Sequence, residues 1–292
     1  MQIQRDEAHG AEASKAGRAP VKLGVARRRL KGALGHLLYR TGLYKLLWRQ
    51  RAVIVLFHRL DDRYPDDGIT CSRAQFTEFC QFFARYFEVI TLGELLERLQ
   101  RGADISRRLV ITFDDGYRDN YEFAAPELRK RGLPACYFIV TGYVGADQSA
   151  ERDARRSIRS EWMNWDQVRS LLEQGFELGA HTITHPDCGH IAGTEATWEI
   201  AGSKERLEAQ VGAPVRYFAY PFGRAHQMTD ENRSIVRNAG FSCCLSAHGG
   251  VVSATDDPFR LNRAPIHTWY LSPYQFGFEA IQLWLSNPRR GR

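Results

Sequence analysis

The chain has 292 residues, enough for one large domain with an appendage or for two ordinary domains. Its hydrophobic (43%) and charged (25%) fractions are those of a globular protein that buries its own core without a disulfide framework. The net charge of +6 comes from residues 1–51, which hold 12 Lys/Arg and 3 Asp/Glu, whereas the remaining residues hold 28 and 31. Since the body of the chain is slightly acidic, these numbers argue against a nucleic-acid partner.

The first 24 residues are polar, rich in Ala and Gly, and without periodicity, so we predict a disordered tail over residues 1–24. They lack the apolar region of a secretory signal. The sequence contains no uninterrupted apolar run of the roughly 18 residues that cross a membrane. We therefore expect a cytoplasmic protein.

Residues 25–50 are predicted to form a basic amphipathic helix. Apolar side chains recur there at helical spacing: Leu30, Ala33, Leu34, Leu37, Leu38, Tyr44, Leu47 and Trp48. Arginines and lysines flank this stripe, a pattern typical of a helix that contacts an anionic membrane surface. A helix that packs on its own domain, with its charges in solvent, explains the pattern equally well. The sequence leaves both interpretations open, including peripheral binding to the inner face of a membrane.

From residue 51 to 292, short apolar segments alternate with helical patterns. The predicted strands cover residues 52–57, 87–90, 109–113, 135–140, 176–180, 217–220, 241–246 and 260–263. The predicted helices cover residues 73–86, 92–101, 120–131, 165–174, 194–211 and 228–239. The strands are apolar on both faces, as expected in a parallel sheet covered by helices, so we predict an α/β fold. The number of strands favours a barrel over an open sheet, although periodicity does not decide between them.

Two carboxylates, Asp114 and Asp115, follow the predicted strand at residues 109–113 directly. Catalytic groups gather where the strands of β/α barrels end. One carboxylate can bind a cation while its neighbour moves protons. The alternative is an ordinary Asp-Gly turn. The same three letters occur at residues 66–68 within a polar loop, where we predict only a turn.

A histidine pair, His181 and His185, follows the strand at residues 176–180. Alone, two histidines four residues apart are weak evidence, but together with a carboxylate they form a common catalytic metal set. A third segment, Tyr-Pro-Phe-Gly at residues 220–223, also follows a strand. Its backbone N–H groups could face a reacting oxygen, or it could be an ordinary turn.

These three segments, in this order, resemble the motifs of the polysaccharide deacetylase family (NodB homology domain, carbohydrate esterase family 4-like), exopolysaccharide-type branch. The resemblance extends over about residues 53–267. It implies a distorted (β/α)7-type barrel over residues 51–292. It also implies a metal-dependent hydrolase that removes N-acetyl groups from an amino sugar in a polysaccharide, oligosaccharide or lipid-linked glycan, so an N-acetylated glycan is the expected substrate.

The resemblance also implies residue roles. Asp114 would be the general base, and Asp115, His181 and His185 would bind a divalent metal, in first place zinc, with cobalt or nickel as alternatives. The Phe222 N–H would stabilise the oxyanion, and His267 would be the general acid. His58, Tyr220 and Arg263 are further candidates to line the site.

Two positions depart from the family pattern. Pro265 stands where the family prefers Leu, which weakens the match at His267. Ala219 stands where many members carry an Arg that positions the base, and Arg263 or Arg260 is a candidate substitute.

Two other classes of function remain open. A carbohydrate O-acetyl esterase or a deformylase would use the same metal and base. A non-catalytic glycan-binding protein would be expected to have lost part of the metal set, whereas all three ligand positions are filled here. The sequence names neither the sugar nor the acyl group.

Overall fold

The computed structural model describes residues 18–64, 67–266 and 268–285, with side chains from residue 24 onward. Strands and helices alternate in the predicted order. The strands are β1 Arg51–Phe57, β2 Arg59–Leu60, β3 Thr70–Cys71, β4 Glu88–Val89, β5 Arg108–Phe113, β6 Cys136–Ile139, β7 Glu177–Ala180, β8 Tyr217–Ala219, β9 Cys243–Gly249, β10 Val251–Ser253 and β11 Leu261–Pro265. The helices are α1 Arg18–Arg40, α2 Tyr44–Leu47, α3 Arg73–Tyr86, α4 Leu92–Gln100, α5 Ala125–Lys130, α6 Glu151–Ala154, α7 Trp165–Glu173, α8 Gly193–Val211, α9 Asp230–Asn238 and α10 Pro273–Leu285.

Seven parallel strands close into a barrel in the order β1-β11-β9-β8-β7-β6-β5, and the ring is completed by pairing of β5 with β1. The register of that closing pair aligns Val53 with Leu109 and Phe57 with Phe113. Strand β4 pairs with β5 outside the ring, and β10 pairs antiparallel with the start of β1. The predicted barrel is therefore confirmed.

The core has two layers, one inside the barrel and one between the barrel and its helices. Successive side chains of a strand point to opposite faces. In β1, Ala52 and Ile54 fill the interior, whereas Val53, Val55 and Phe57 pack outward. This alternation explains strands that are apolar on both faces, and it decides which residues beyond each strand point into the mouth of the barrel.

The predicted helix over residues 120–131 is divided. Asn120–Ala124 winds as a π-helix, and α5 follows it. Pro126 has no N–H to donate to the preceding turn, and the Ala125 N–H bonds to the Asn120 carbonyl five residues back.

The predicted turn at residues 66–68 has a structural role in its described part. The Asp67 carboxylate accepts hydrogen bonds from the N–H of Ile69 (3.0 Å) and of Thr70 (2.7 Å) and pairs with the buried Arg59. Asp66 lies outside the described residues.

Helix α1 begins at Arg18, earlier than the predicted start at residue 25. Of the predicted tail, residues 1–17 lie outside the described part of the chain. The helix packs on α10, which the sequence analysis did not predict. At Gly35 a Cβ atom would lie 2.1 Å from the Tyr274 carbonyl oxygen, so only glycine permits this approach. Lys31 and Glu279 form an ion pair across the helices at 3.0 Å.

Tyr39 anchors the end of α1. Its side chain is buried, and its hydroxyl accepts a hydrogen bond from Trp48 Nε1 at 3.0 Å. This face of α1 therefore packs on the protein's own domain. Among the described helices, none has both the length and the apolar character that crossing a membrane requires.

Candidate active site and metal centre

The two carboxylates occupy the mouth of the barrel. Alternation along β5 points Val110, Thr112 and Asp114 inward, and Asp114 is buried. The chain then turns through left-handed backbone conformations at Asp115 (φ 75°) and Gly116 (φ 90°). For a non-glycine residue such a conformation is strained and is often found at functional sites.

His181 and His185 face Asp115. The Nε2 atoms of His181 and His185 lie 3.4 Å and 3.3 Å from Asp115 Oδ1. His181 Nδ1 lies 2.7 Å from the Ala219 carbonyl oxygen, which can only accept, so Nδ1 carries the proton. That hydrogen bond leaves the Nε2 lone pair free to bind a metal.

The loop between the two histidines is held by Glu199, a residue that the sequence analysis missed. Glu199 lies buried on α8 and accepts hydrogen bonds from the N–H of Ile183 (2.8 Å) and from both the N–H (3.0 Å) and the hydroxyl (2.6 Å) of Thr184. A carboxylate among the buried positions of α8, beside Ile200, was the available signal. Glu199 therefore positions His185 without touching the site itself.

We expect Glu199→Gln to weaken metal binding by about 10–100-fold, the usual effect of losing a group that orients metal ligands. The amide replaces a charged acceptor of three hydrogen bonds with a weaker one. Metal titration by calorimetry measures the change. Glu195→Gln on the same helix is the matched control, because Glu195 is exposed. Unchanged metal affinity in Glu199→Gln would contradict the positioning role.

The donor set fits a divalent cation. One ligand atom each of Asp115, His181 and His185 lies within 4.8 Å of the others, and no second such cluster was found in the described part of the chain. Burial alone would raise the pKa of Asp115, but hydrogen bonding to His181 and His185 and the charges of His185 and His58 hold this pKa well below its usual range. An anionic carboxylate with two imidazoles suits zinc and similar metals and leaves coordination positions open.

Arg263 binds the proposed base. From inside the barrel on β11, its Nη1 and Nη2 donate to Asp114 Oδ1 and Oδ2, both at 2.7 Å. Nη1 also donates to the Thr112 hydroxyl at 3.2 Å. Burial acts to raise the pKa of Asp114, yet the Arg263 charge is the main opposing cause and the pKa falls below its usual value. Of the two candidate substitutes for the arginine absent at position 219, Arg263 reaches Asp114, whereas Arg260 pairs with Asp230 at 3.4 Å.

The side chains of His58 and Tyr220 point to opposite faces of the barrel wall. His58 follows β1 on the inward parity, and burial lowers its pKa while the nearby charges of Asp115 and Asp114 oppose that change. Tyr220 follows β8 on the outward parity and is fully buried against Phe218, with ring centroids 4.9 Å apart. Tyr220 therefore belongs to the outer core, and the hypothesis that it lines the site is not supported.

Phe222 lies beside the candidate metal ligands, with its ring 5.0 Å from that of His185. Its backbone is left-handed (φ 59°), and its N–H donates to no backbone oxygen in the described chain. Gly223 follows where a Cβ would lie 2.0 Å from the Ala247 nitrogen, so this turn requires glycine. His267 lies outside the described residues, so its role as the acid stays a prediction.

A stack of three aromatic rings that ends beside His185 was also missed. Tyr143 stacks on Trp162 at 4.5 Å, and Trp162 stacks on Tyr117 at 4.7 Å. The Tyr143 ring is 6.3 Å from that of His185 and remains partly exposed. These residues lie far apart in sequence, so no local pattern predicted that their rings would stack.

Comparison with known proteins places this fold and site in a class. Residues 101–244 match the model of the polysaccharide deacetylase family. A poly-β-1,6-N-acetyl-D-glucosamine N-deacetylase of Staphylococcus aureus is 25% identical over 183 residues, 60% of this chain and 59% of that protein. The chain spans about half to three fifths of the length of the curated relatives that it matches.

Two solved structures share the fold. The deacetylase PplD of Streptococcus pyogenes superposes with a TM-score of 0.66 at 21% identity, over 77% of this chain and 96% of that one. IcaB of Ammonifex degensii superposes with a TM-score of 0.63 at 23% identity, over 80% and 97%. Residues 101–244, just under half of the chain, therefore form a domain that matches the polysaccharide deacetylase family.

Proposed function

We propose that this protein is a metal-dependent hydrolase that removes N-acetyl groups from an amino sugar in a polysaccharide, oligosaccharide or lipid-linked glycan. One observation carries the proposal. The buried, arginine-bound Asp114 lies next to the cluster of Asp115, His181 and His185, with 3.7 Å between Asp114 Oδ2 and His181 Nε2. A proton acceptor beside a metal set is an arrangement that activates water for the hydrolysis of an amide.

The family supports the reaction class, and one relative supports the substrate class. The Staphylococcus aureus protein is named for deacetylation of poly-β-1,6-N-acetyl-D-glucosamine. Because identity to it is 25% and this chain covers 59% of its length, the particular sugar and linkage belong to the proposal.

The chain's own groups divide the work. A divalent cation bound by Asp115, His181 and His185 would supply Lewis acidity toward the substrate carbonyl and the attacking water. Asp114, kept ionised by Arg263, accepts the proton of that water. Each Asp114 oxygen uses one lone pair on Arg263 and keeps another for the proton.

The Phe222 N–H is assigned as the hydrogen-bond donor to the oxyanion. The turn leaves this N–H without a backbone acceptor in the described chain. The departing amine needs a proton, which we assign to His267. Acetate and a free amino sugar are the products.

Two alternatives to an N-deacetylase are a non-catalytic glycan-binding protein and another hydrolase on the same fold. The only support for a non-catalytic glycan-binding protein was the absence of an arginine at position 219. Arg263 supplies the guanidinium contact with Asp114 that such an arginine would make. An O-acetyl esterase or a deformylase would use the same groups. In N-deacetylation, O-deacetylation and deformylation alike, water attacks a carbonyl carbon. The choice among these hydrolases therefore depends on the substrate.

A substrate panel tests the proposal. The purified protein, loaded with Zn²⁺, Co²⁺ or Ni²⁺, is given β-1,6- and β-1,4-linked N-acetylglucosamine oligomers, a lipid-linked N-acetylated sugar, and O-acetylated and N-formylated analogues. We expect acetate and a new primary amine to appear in equal amounts from an N-acetylated member.

Asp114→Asn serves as the inactive control in this panel. Acetate release from the O-acetylated analogue alone, without new amine, would instead identify an esterase. Formate release alone would identify a deformylase, and no turnover of any member with any metal would leave the glycan-binding alternative.

A further inference from the structure

Helix α1 has two opposite faces. Gly32, Gly35 and Tyr39 lie on the face that packs against α10. Leu30, Leu34 and Leu37 lie half a helical turn away, at the i, i+4, i+7 spacing that forms one stripe. Their side chains are 42–60% exposed.

The connection into α2 extends this apolar surface. Leu43 and Leu46 are 54% and 69% exposed, whereas Tyr44 and Trp48 of the same segment are buried. The leucine face consists of Leu30, Leu34, Leu37, Leu43 and Leu46. The amphipathic stripe predicted from the sequence therefore mixed two surfaces, since Trp48 points inward and Leu37 points outward.

All Lys, Arg, Asp and Glu residues in the segment that carries the leucine face are basic. Residues 18–50 contain nine Lys/Arg and no Asp/Glu. Arg27 lies on one flank of the leucine stripe of α1, and Arg29 and Arg40 lie on the other; all three are exposed. Lys45 and Arg49 are exposed beside Leu46. An apolar stripe between two rows of cations matches a surface that is apolar at depth and anionic at its edge.

We propose that the leucine face docks the enzyme onto an anionic lipid surface. The leucines enter the boundary between headgroups and acyl chains, and the flanking cations contact lipid phosphates. A second copy of this chain is the less suitable occupant, because joining two leucine faces would bring together the exposed cations that flank each of them, namely Arg27, Arg29, Arg40, Lys45 and Arg49. Since α1 is anchored to α10, docking holds the whole barrel at the lipid surface.

Vesicle flotation of the full-length protein tests this inference. We expect binding to vesicles of phosphatidylcholine with phosphatidylglycerol at low salt, weaker binding at 0.5 M salt, and little binding to pure phosphatidylcholine. Triple substitution of the leucines on α1 should lower the partition coefficient at least about tenfold, a change that corresponds to about 1.4 kcal/mol. The three substitutions are Leu30→Gln, Leu34→Gln and Leu37→Gln.

A charge series separates lipid binding from general electrostatics. Substituting glutamine for Arg27, Arg29 and Arg40 should weaken binding by at least about tenfold. Glutamine at Arg101, Arg129 and Arg206, exposed arginines on other elements, removes the same net charge and should leave binding nearly unchanged. Trp198→Gln, an exposed apolar residue on α8, is the matched control for the leucines.

Two outcomes would overturn the inference. One is full-length protein that stays unbound on anionic vesicles at low salt. The other is a dimer, seen by light scattering, that the leucine substitutions dissociate. Thermal melting of each variant shows that it is folded, and Asp114→Asn should float like the wild type, so the result does not depend on the proposed activity.

Discussion

Asp114→Asn is expected to retain the metal and to lose turnover by about 10²–10⁴-fold, the usual contribution of a positioned base. The asparagine cannot accept the proton of the attacking water at this position. It keeps the size of the side chain and one oxygen toward Arg263, so the mouth of the barrel should stay folded. Steady-state kinetics on the substrate identified by the panel, with metal content measured on the same sample, tests the prediction.

Arg263 provides the companion variant. Arg263→Lys keeps one cation but loses the two parallel hydrogen bonds to Asp114, so we expect a smaller loss in kcat than in Asp114→Asn, with metal content unchanged. Arg260→Lys is the matched control on the surface. Wild-type turnover in Asp114→Asn would show that Asp114 is not the base, and loss of metal from that variant would place Asp114 among the ligands.

His181→Ala is expected to lower metal affinity by more than about 100-fold, because changes that only reorient a ligand already lower it 10–100-fold. The variant removes one of three donors and leaves the Ala219 carbonyl without its hydrogen bond. Metal content after dialysis against a weak chelator measures the loss. A second readout is the metal-dependent rise in melting temperature, which the wild type should show and the variant should lack.

His190→Ala is the control for this experiment, since His190 is an exposed histidine five residues beyond His185. Its metal content and melting temperature should match those of the wild type. A His181→Ala protein that holds metal as tightly as the wild type would refute the assignment of Asp115, His181 and His185 as the metal centre.

Much of the barrel was predictable because its strands are buried on both faces. All eight predicted strands are present, and seven of them form the closed ring. Periodicity alone did not separate a barrel from an open sheet. Closure depends on the pairing of β1 with β5, which no local pattern records.

The candidate site divides in the same way. Asp114 and His181 were found because each directly follows a strand, and Asp115 and His185 lie one and four residues beyond them. The ends of parallel strands meet at one edge of the barrel. Tyr220 was misplaced although it also follows a strand, because its parity points it outward. The face to which such a side chain points is known only when the preceding strand has been placed in the sheet.

The sequence by itself therefore determined the order of strands and helices, the ligand-type residues at strand ends and the basic character of the N-terminal helix. Only the tertiary structure decided that Arg263 binds Asp114 across 149 positions of chain, because that contact depends on barrel closure. It likewise decided that Glu199 holds the histidine loop and that α1 buries one face while exposing its leucines. Each of these contacts joins segments that are distant in the sequence. They form because helices and strands bury a shared core, and that burial brings the segments together.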